Sequence, residues 1–207
     1  MKKNKISKNW LIKQKKDQFF KQSKIQGYRS RSAFKLIEMN KKFKFLRKNI
    51  SLLDLGSCPG GWSQVAANEI GKNNGKILAV DVKPMEKINN VYFIKGDFCE
   101  NEINRKVMAY LNNKADVVLS DMAVNTSGNK TMDSYRTGEL CIHAMSLASK
   151  ILTKDGVFLS KIFMGSIYNE IRERAKNCFK NVTMYKPLSS KKESREIYIF
   201  CKGVLKI

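Results

Sequence analysis

The sequence predicts a doubly wound α/β fold, in which helices cover both faces of a mostly parallel sheet. Short apolar runs alternate with longer amphipathic segments from residue 51 onward, which is the pattern of repeated strand–helix units. Several runs end at an acidic residue, as at Asp81 and Asp121. The last two runs have only a short loop between them, which predicts a hairpin and one antiparallel strand near the C-terminus.

The expected elements follow in chain order. Residues 1–27 are polar and Lys-rich, so we expect a partly helical basic arm there, followed by a single domain at residues 28–207. A helix is predicted at about 32–40, where apolar residues recur at helical spacing. Short runs of branched apolar residues predict strands at 51–55, 76–80, 91–94, 116–120, 157–163, 182–185 and 196–201. Amphipathic segments predict helices at 63–70, 100–111, 139–152 and 167–179.

The composition excludes several classes of protein. The 207 residues include 40 Lys and Arg against 18 Asp and Glu, for a formal net charge of +22, and 43% of them are hydrophobic. This apolar share is enough for a buried core, so a fully disordered chain is excluded. No apolar run approaches the ~20 residues of a membrane span. The Lys-rich start lacks the apolar segment and cleavage site of a signal peptide.

The positive charge is concentrated near the N-terminus. Residues 1–50 contain 17 Lys and Arg but only two acidic residues, and aromatic residues such as Trp10 and Phe20 are interleaved with them. A nucleic acid is the expected partner, because each cation that meets a phosphate releases condensed counterions. The alternative is a genome bias that fills solvated surfaces with lysine. An anionic membrane is a weaker expectation, because no clean basic amphipathic helix stands out.

The sequence contains five cysteines, at positions 58, 99, 141, 178 and 201. Their number is odd and their separations are long, and the one histidine, His143, forms no zinc-binding pattern with them. We therefore expect no metal site. Free thiols are typical of a reducing compartment, so we expect a cytoplasmic protein with most of these thiols in the core.

A glycine-rich loop after the first strand predicts a nucleotide site. It reads Asp-Leu-Gly-Ser-Cys-Pro-Gly-Gly-Trp over residues 54–62, and glycines there let backbone N–H groups approach a ligand at the start of a helix. Doubly wound sheets bind ligands at the carboxyl ends of their strands. At that edge we expect Asp81 to accept ribose hydroxyls, Asp97 to accept an adenine amino group, and Asp121 to follow the fourth strand.

The same edge favours S-adenosylmethionine over a dinucleotide. The glycine spacing is G-x-x-x-G-G, whereas dinucleotide enzymes use G-x-G-x-x-G. A pyrophosphate needs donors without nearby acids, but this edge carries several carboxylates. A cofactor with a cationic sulfonium and an α-amino group suits that charge better. The structural alternative is an ordinary tight turn with aspartates that cap helices.

Six motifs follow one another along nearly the whole chain, at residues 28–36, 54–64, 96–98, 120–123, 161–163 and 194–198. Together they resemble the FtsJ/RrmJ (RlmE) family of ribosomal RNA 2′-O-ribose methyltransferases. The resemblance implies a Rossmann-like methyltransferase fold and S-adenosyl-L-methionine as cofactor. For the bacterial members it implies methylation of a uridine in 23S rRNA on the assembled large ribosomal subunit. We expect RNA and not DNA, because only RNA offers a 2′-hydroxyl, and by default a monomer.

Matching motif by motif, the resemblance implies a catalytic set of Lys35, Asp121, Lys161 and Glu196. It implies cofactor contacts at Gly60, Trp62, Asp81, Asp97 and Asp121. The sequence departs from the family pattern at Ser57, Cys58, Val124 and Met164. These departures change the lining of the site and leave the four catalytic positions intact.

The resemblance implies that Lys161 is the general base. Our hypothesis from the residues is that Asp121 and Glu196 orient the two lysines and that Lys35 helps to hold the ribose. A base must be a neutral amine. Burial and the second lysine favour that form, whereas the two carboxylates favour the cation. The residues expected to flank this edge and bind phosphates are Arg29, Arg31, residues 41–48, Lys191, Lys192 and Arg195.

Other interpretations stay open at this level. Trp62 is alternatively a plain core residue, and Lys35 and Glu196 are alternatively parts of a solvated surface. The protein is alternatively a non-catalytic RNA-binding factor of ribosome assembly that keeps the fold. Retention of all four polar positions favours catalysis over that function. A nicotinamide oxidoreductase is the least favoured interpretation.

Overall fold

One seven-stranded sheet forms the centre of the molecule. The computed structural model describes residues 17–71, 75–124 and 127–205. The strands are β1 (Ser51–Leu55), β2 (Lys76–Asp81), β3 (Tyr92–Lys95), β4 (Ala115–Ser120), β5 (Leu152–Phe163), β6 (Phe179–Tyr185) and β7 (Glu196–Val204). Their order is β3-β2-β1-β4-β5-β7-β6, and β7 runs antiparallel to both of its neighbours. The predicted fold class is confirmed, including its antiparallel strand near the C-terminus.

Helices cover both faces of the sheet. Within the described residues they are α1 (Gln18–Ile25), α2 (Ala33–Phe43), α3 (Gly61–Ile70), α4 (Asn101–Leu111), α5 (Lys130–Ile151) and α6 (Tyr168–Cys178). Successive strand residues face opposite sides, so Leu52 packs in the core beneath α2 and α3, and Leu53 packs beneath α4, α5 and α6. Burial on both faces explains why the strands read as nearly continuous apolar runs. None of these helices is long and apolar enough to cross a bilayer.

Charged residues tie α1 to the loop between β6 and β7. Asp17 caps α1 by accepting a hydrogen bond from the Phe20 N–H (3.1 Å), and it forms an ion pair with Arg31. The Arg31 guanidinium also donates to the carbonyl oxygen of Ser189. These contacts occupy a side chain that we expected to bind phosphates. Residues 1–16 of the predicted basic arm lie outside the described residues.

Glu38 on α2 holds the same loop from the other side. Its carboxylate accepts hydrogen bonds from the backbone N–H groups of Leu188 and Ser189 (2.7 and 3.0 Å) and from the Tyr185 hydroxyl (2.7 Å). Burial alone would raise the pKa of Glu38, but these donors outweigh it and hold the pKa below its ordinary value. Because Glu196 follows this loop, Glu38 fixes where β7 begins relative to α2.

α5 begins at Lys130, well before the predicted start at residue 139. The side chain of Asn129 caps it by accepting two hydrogen bonds from backbone N–H groups of the first turn (3.1 and 3.2 Å). The early turns of α5 bury polar residues, including Ser134 and Thr137. Hydrophobic periodicity therefore does not reveal this part of the helix.

Residues 41–48 lie at the edge opposite to the one we predicted. Lys35 is in the first turn of α2, at the carboxyl edge, where the parallel strands end. Lys44 follows the last turn and lies beside Asp116 and Thr153, at the amino edge, where β4 and β5 begin. An eleven-residue helix is about 16 Å long and crosses the sheet. The prediction that residues 41–48 flank the catalytic edge is therefore wrong.

Candidate active site

A cleft of about 370 Å³ opens at the carboxyl edge of the sheet. The loops that follow β1, β2, β3 and β4 bound it. Three carboxylates line it, from Asp81, Asp97 and Asp121. Because parallel strands end at the same edge, acids from distant parts of the sequence share one cavity.

Close packing of two loops shapes one wall of the cleft. Gly56 has φ +72°, and a Cβ there would lie 2.3 Å from Cγ of Met122 in the loop after β4. Asp81 fixes the same wall, because its two carboxylate oxygens accept hydrogen bonds from the backbone N–H groups of Cys58 and Lys83 (2.8 Å each). Asp81 therefore both lines the cleft and holds the glycine loop.

Arg29 clamps the glycine loop from outside. Its guanidinium donates to the carbonyl oxygens of Pro59 (3.2 Å), Glu86 (2.7 Å) and Lys87 (2.9 Å). These bonds join the loop after β1 to the loop after β2. We expected Arg29 to bind phosphates, but its guanidinium N–H groups already donate to backbone carbonyl oxygens.

Gly60 and Trp62 do not line the cleft. The indole N–H of Trp62 donates to the Ser32 carbonyl oxygen (2.9 Å), and its ring packs near that of Tyr198, with centroids 5.8 Å apart. The Trp62 side chain is 2% exposed and belongs to the core under α2 and α3. Gly60 has φ +110°, and a Cβ there would lie 2.7 Å from Cδ1 of Ile88. Cofactor contacts at these two positions stay predictions.

Next to the cleft, the four residues of the implied catalytic set form two ion pairs. Lys161 Nζ lies 2.9 Å from Asp121 Oδ1, and Lys35 Nζ lies 2.7 Å from Glu196 Oε1. The four side chains are only 10–16% exposed. α2, the end of β5, the loop after β4 and the start of β7 supply one residue each. The fold therefore brings together residues that are far apart in the sequence.

Tyr198 joins the two pairs, and sequence reasoning missed it as a site residue. Its fully buried hydroxyl donates to Asp121 Oδ1 (3.1 Å), and its ring centroid lies 5.9 Å from Lys35 Nζ. Burial, with the charges of Asp121 and Glu196, raises the pKa of Tyr198 well above its ordinary value. The hydroxyl therefore stays protonated and donates. Its spacing of two residues from Glu196 on one strand face could have indicated it.

Asp121 is the residue that links the cleft to the ion pairs. Burial alone would raise the pKa of Asp121, but the charges of Lys161 and Lys35 outweigh it and hold the pKa below its ordinary value. Lys161 Nζ also donates to the main-chain carbonyl oxygen of Asp121 (2.6 Å). Asp121 thus holds one lysine through both its backbone and its side chain while it faces the cleft.

A further carboxylate lies beneath the glycine loop. Asp54 on β1 is fully buried, and its Oδ2 accepts a hydrogen bond from Ser63 Oγ (2.6 Å). Its Oδ1 has no hydrogen-bond partner among the described residues. Burial first, and then the charges of Asp121 and Asp81, raises the pKa of Asp54 to about 7.

We expect Asp54→Asn to change how stability depends on pH. An acid with a raised pKa binds more protons when folded, so the wild-type free energy of unfolding falls as pH rises from about 4 to about 7. The change from 3.8 to about 7 corresponds to a penalty on the order of 4 kcal/mol above that range. The amide cannot ionise, so the variant gains stability relative to wild type between pH 5 and pH 8. Thermal unfolding of both proteins at pH 5 and at pH 8 measures this gain. An equal stability difference between variant and wild type at the two pH values would contradict the prediction.

The antiparallel β7 inserted between β5 and β6, together with an acidic cleft at the carboxyl edge, places the molecule among the α/β methyltransferases. Within this class, residues 28–204 match the FtsJ-like methyltransferase family. The match covers most of the chain, and the chain belongs to that family.

Individual relatives agree with this assignment. A Pelagibacter ubique protein named ribosomal RNA large subunit methyltransferase E is 50% identical over 202 residues, which are 98% of each chain. A Rickettsia akari protein of the same name is 43% identical over 197 residues, which are 93% of this chain and 87% of the relative. A crystal structure from Plasmodium falciparum, described as a ribosomal RNA methyltransferase, has a TM-score of 0.77 and 36% identity. The alignment with the Plasmodium structure covers 87% of this chain and 100% of the Plasmodium chain.

Proposed function

We propose that the protein methylates the 2′-hydroxyl of a uridine in 23S rRNA, with S-adenosyl-L-methionine as methyl donor. We further propose that it acts as a monomer on the assembled large ribosomal subunit. The names of the relatives support an rRNA substrate, and the motif resemblance supports the ribose hydroxyl. The position of Asp121 carries the proposal, because this residue lines the acidic cleft and binds Lys161. A lysine amine is thereby placed beside the cleft.

The residues of the cleft fit S-adenosylmethionine. Asp97 Oδ1 accepts a hydrogen bond from the Cys99 N–H (2.9 Å), and we assign Oδ2 to the adenine amino group. Asp81, at the end of β2, is assigned to the ribose, and Asp121 to the positively charged part of the cofactor. A pyrophosphate would instead meet three carboxylates. When bound, the cofactor supplies an electrophilic methyl carbon.

The hydrogen bonds of Lys161 suit a general base. Its Nζ donates to the main-chain oxygen of Asp121 (2.6 Å) and to Oδ1 of the same residue (2.9 Å). To act as a base, Lys161 must first lose a proton from the ammonium of its ion pair with Asp121, and the neutral amine then has two N–H donors and one lone pair. With both donors held by Asp121, the lone pair is left for the ribose hydroxyl. The 2′-hydroxyl is a weak acid, so a base must take its proton as the oxygen reacts, and Lys161 Nζ is the group placed to do so.

The Lys35–Glu196 pair suits a role in holding the ribose. An ammonium has three donors, and the ion pair of Lys35 with Glu196 leaves donors for substrate oxygens. Its charge also favours the negative charge that develops on the 2′-oxygen. Tyr198 keeps this pair next to Asp121.

Methylation of a base fits the residues less well. Methylation of pyrimidine C5 needs a cysteine nucleophile, but Cys141 is fully buried on α5 and burial raises its pKa to about 12. Methylation of an exocyclic amine usually uses an Asn/Asp-Pro-Pro-aromatic loop after the fourth strand. Here that loop reads Asp-Met-Ala-Val over residues 121–124.

We expect undermethylated large subunits to accept one labelled methyl group per particle. Alkaline hydrolysis should then locate it, because a 2′-O-methyl group protects the following phosphodiester bond from cleavage. Deproteinised 23S rRNA tests whether the assembled particle is required. Label on a base would contradict the ribose as acceptor. A folded protein that binds the particle without transferring label would favour the alternative, a non-catalytic assembly factor.

A further inference from the structure

A second cleft lies at the amino edge of the sheet, on the opposite side from Lys35, Asp121, Lys161 and Glu196. It has a volume of about 580 Å³ and lies between the end of α2, the starts of β4 and β5, and the end of β7. Four cations line it: Lys44, Arg47, Lys154 and Lys202. We name this cavity the rear cleft. The reaction proposed above makes no use of it.

The cations of the rear cleft face solvent and form no ion pairs within the described residues. All four residues are exposed. Within residues 17–71, 75–124 and 127–205, none of the four forms an ion pair. Such a group of like charges repels itself when nothing is bound, and it raises the local concentration of anions.

Two carboxylates also line the rear cleft, and one of them already accepts hydrogen bonds from neighbouring strands. Asp116 Oδ2 accepts a hydrogen bond from the Ser51 N–H (2.9 Å), and its Oδ1 accepts one from Thr153 Oγ1 (3.3 Å). Asp155 is exposed beside Lys154. The cleft as a whole stays positive.

Helix stability does not explain three of these four charges. Lysines in the last turn of a helix interact favourably with its dipole, and Lys41 and Lys42 hold that place on α2. Lys154 and Lys202, in contrast, lie on strands, and Arg47 lies in the loop before β1. The cluster therefore needs another explanation.

We propose that the rear cleft binds backbone phosphates of a second RNA segment, separate from the segment whose ribose is methylated. This inference rests on the proposed function. Val157 in the rear cleft and Lys161 are four residues apart on β5, about 13 Å along the strand, so one nucleotide does not contact both sites. A folded rRNA presents neighbouring segments at such distances. The enzyme would then recognise RNA by its shape as well as at the target.

Phosphates fit the rear cleft better than bases do. The rings of Phe43 and Phe200 stack on each other with centroids 4.1 Å apart, and Phe200 is only 7% exposed. Phe45 is also buried. Two of the three rings are thus buried and the third, Phe43, is half-buried and stacked on one of them, whereas exposed lysine and arginine side chains bind phosphate without base selectivity.

The test replaces Lys44, Arg47 and Lys202 by glutamine together. The control variant replaces Lys95, Arg105 and Arg172 by glutamine, which removes the same charge from exposed positions on β3, α4 and α6. Binding of both variants to deproteinised 23S rRNA and to large subunits is measured as a function of salt. We expect the rear-cleft variant to bind both at least about tenfold more weakly and to reduce the slope of log K against log salt by about two. We expect the control to stay within about threefold of wild type.

Each result of this test separates the possibilities. Equal binding by the two variants overturns the inference. Weakened binding to the subunit alone, with unchanged binding to deproteinised rRNA, also overturns it and indicates a ribosomal protein as occupant. At saturating subunit, the rear-cleft variant should keep the wild-type single-turnover rate, and loss of that rate would contradict a separate site. If wild type transfers no methyl group, the proposed function fails while the binding comparison still tests the rear cleft.

Discussion

Lys161→Met should lower the single-turnover rate of methyl transfer by about 10²–10⁴-fold, the usual contribution of a general base. Methionine keeps much of the side-chain volume but has no lone-pair nitrogen to accept the ribose proton. Binding of S-adenosylmethionine should be weakened far less, because Asp81 and Asp97 keep their places in the cleft. Rapid-quench transfer of labelled methyl and calorimetric titration of the cofactor measure the two effects separately.

Lys161→Arg separates charge from proton transfer. A guanidinium keeps the positive charge beside Asp121 but does not lose its proton in proteins, so this variant should stay folded and inactive. Lys106→Met is the matched control, because it breaks an exposed ion pair with Glu102 on α4 (2.6 Å). We expect it to keep the full rate. A Lys161→Arg enzyme with the wild-type rate would remove Lys161 from the role of base.

The cofactor cleft could be predicted from the sequence because its residues follow a topological rule. Parallel strands end at one edge, so acids that follow successive strands must meet there. This rule alone brings Asp81, Asp97 and Asp121 together, and the structure places all three in one cleft. Lys35 and Glu196 obey no such rule, since one lies on a helix and the other begins an antiparallel strand. Only the motif resemblance pointed to those two residues.

The partners of charged surface residues could not be predicted, because they depend on how distant loops pack. The sequence predicted that Arg29 and Arg31 bind phosphates. Each instead donates to backbone carbonyl oxygens of residues far away in the sequence. No sequence pattern indicated a role for Glu38, although its carboxylate oxygens accept the hydrogen bonds that hold the loop before β7. The location of residues 41–48 depends on the direction of α2 across the sheet. Hydrophobic periodicity predicts that helix but not its direction.

Breaking the Lys35–Glu196 pair from one side should destabilise the protein more than removing both residues. Nζ and Oε1 lie 2.7 Å apart, and the two side chains are 10% and 12% exposed. Either Lys35→Met or Glu196→Leu leaves one buried charge without its partner, which typically costs about 3–5 kcal/mol. The double variant leaves no such charge, and its free energy of unfolding should return to within about 1–2 kcal/mol of wild type. Urea unfolding of the four proteins measures this coupling.

The Lys35→Met/Glu196→Leu variant should regain its free energy of unfolding but not its rate of methyl transfer. Neither apolar side chain can hydrogen-bond the ribose or stabilise charge on the 2′-oxygen, so all three variants should lose most of the single-turnover rate. The same substitutions at the exposed Lys176–Glu173 pair (2.7 Å) form the control. There each change should cost less than about 1 kcal/mol and leave the rate intact. If the Lys35→Met/Glu196→Leu protein regained its rate along with its stability, the pair would be a structural element and another group would have to hold the ribose.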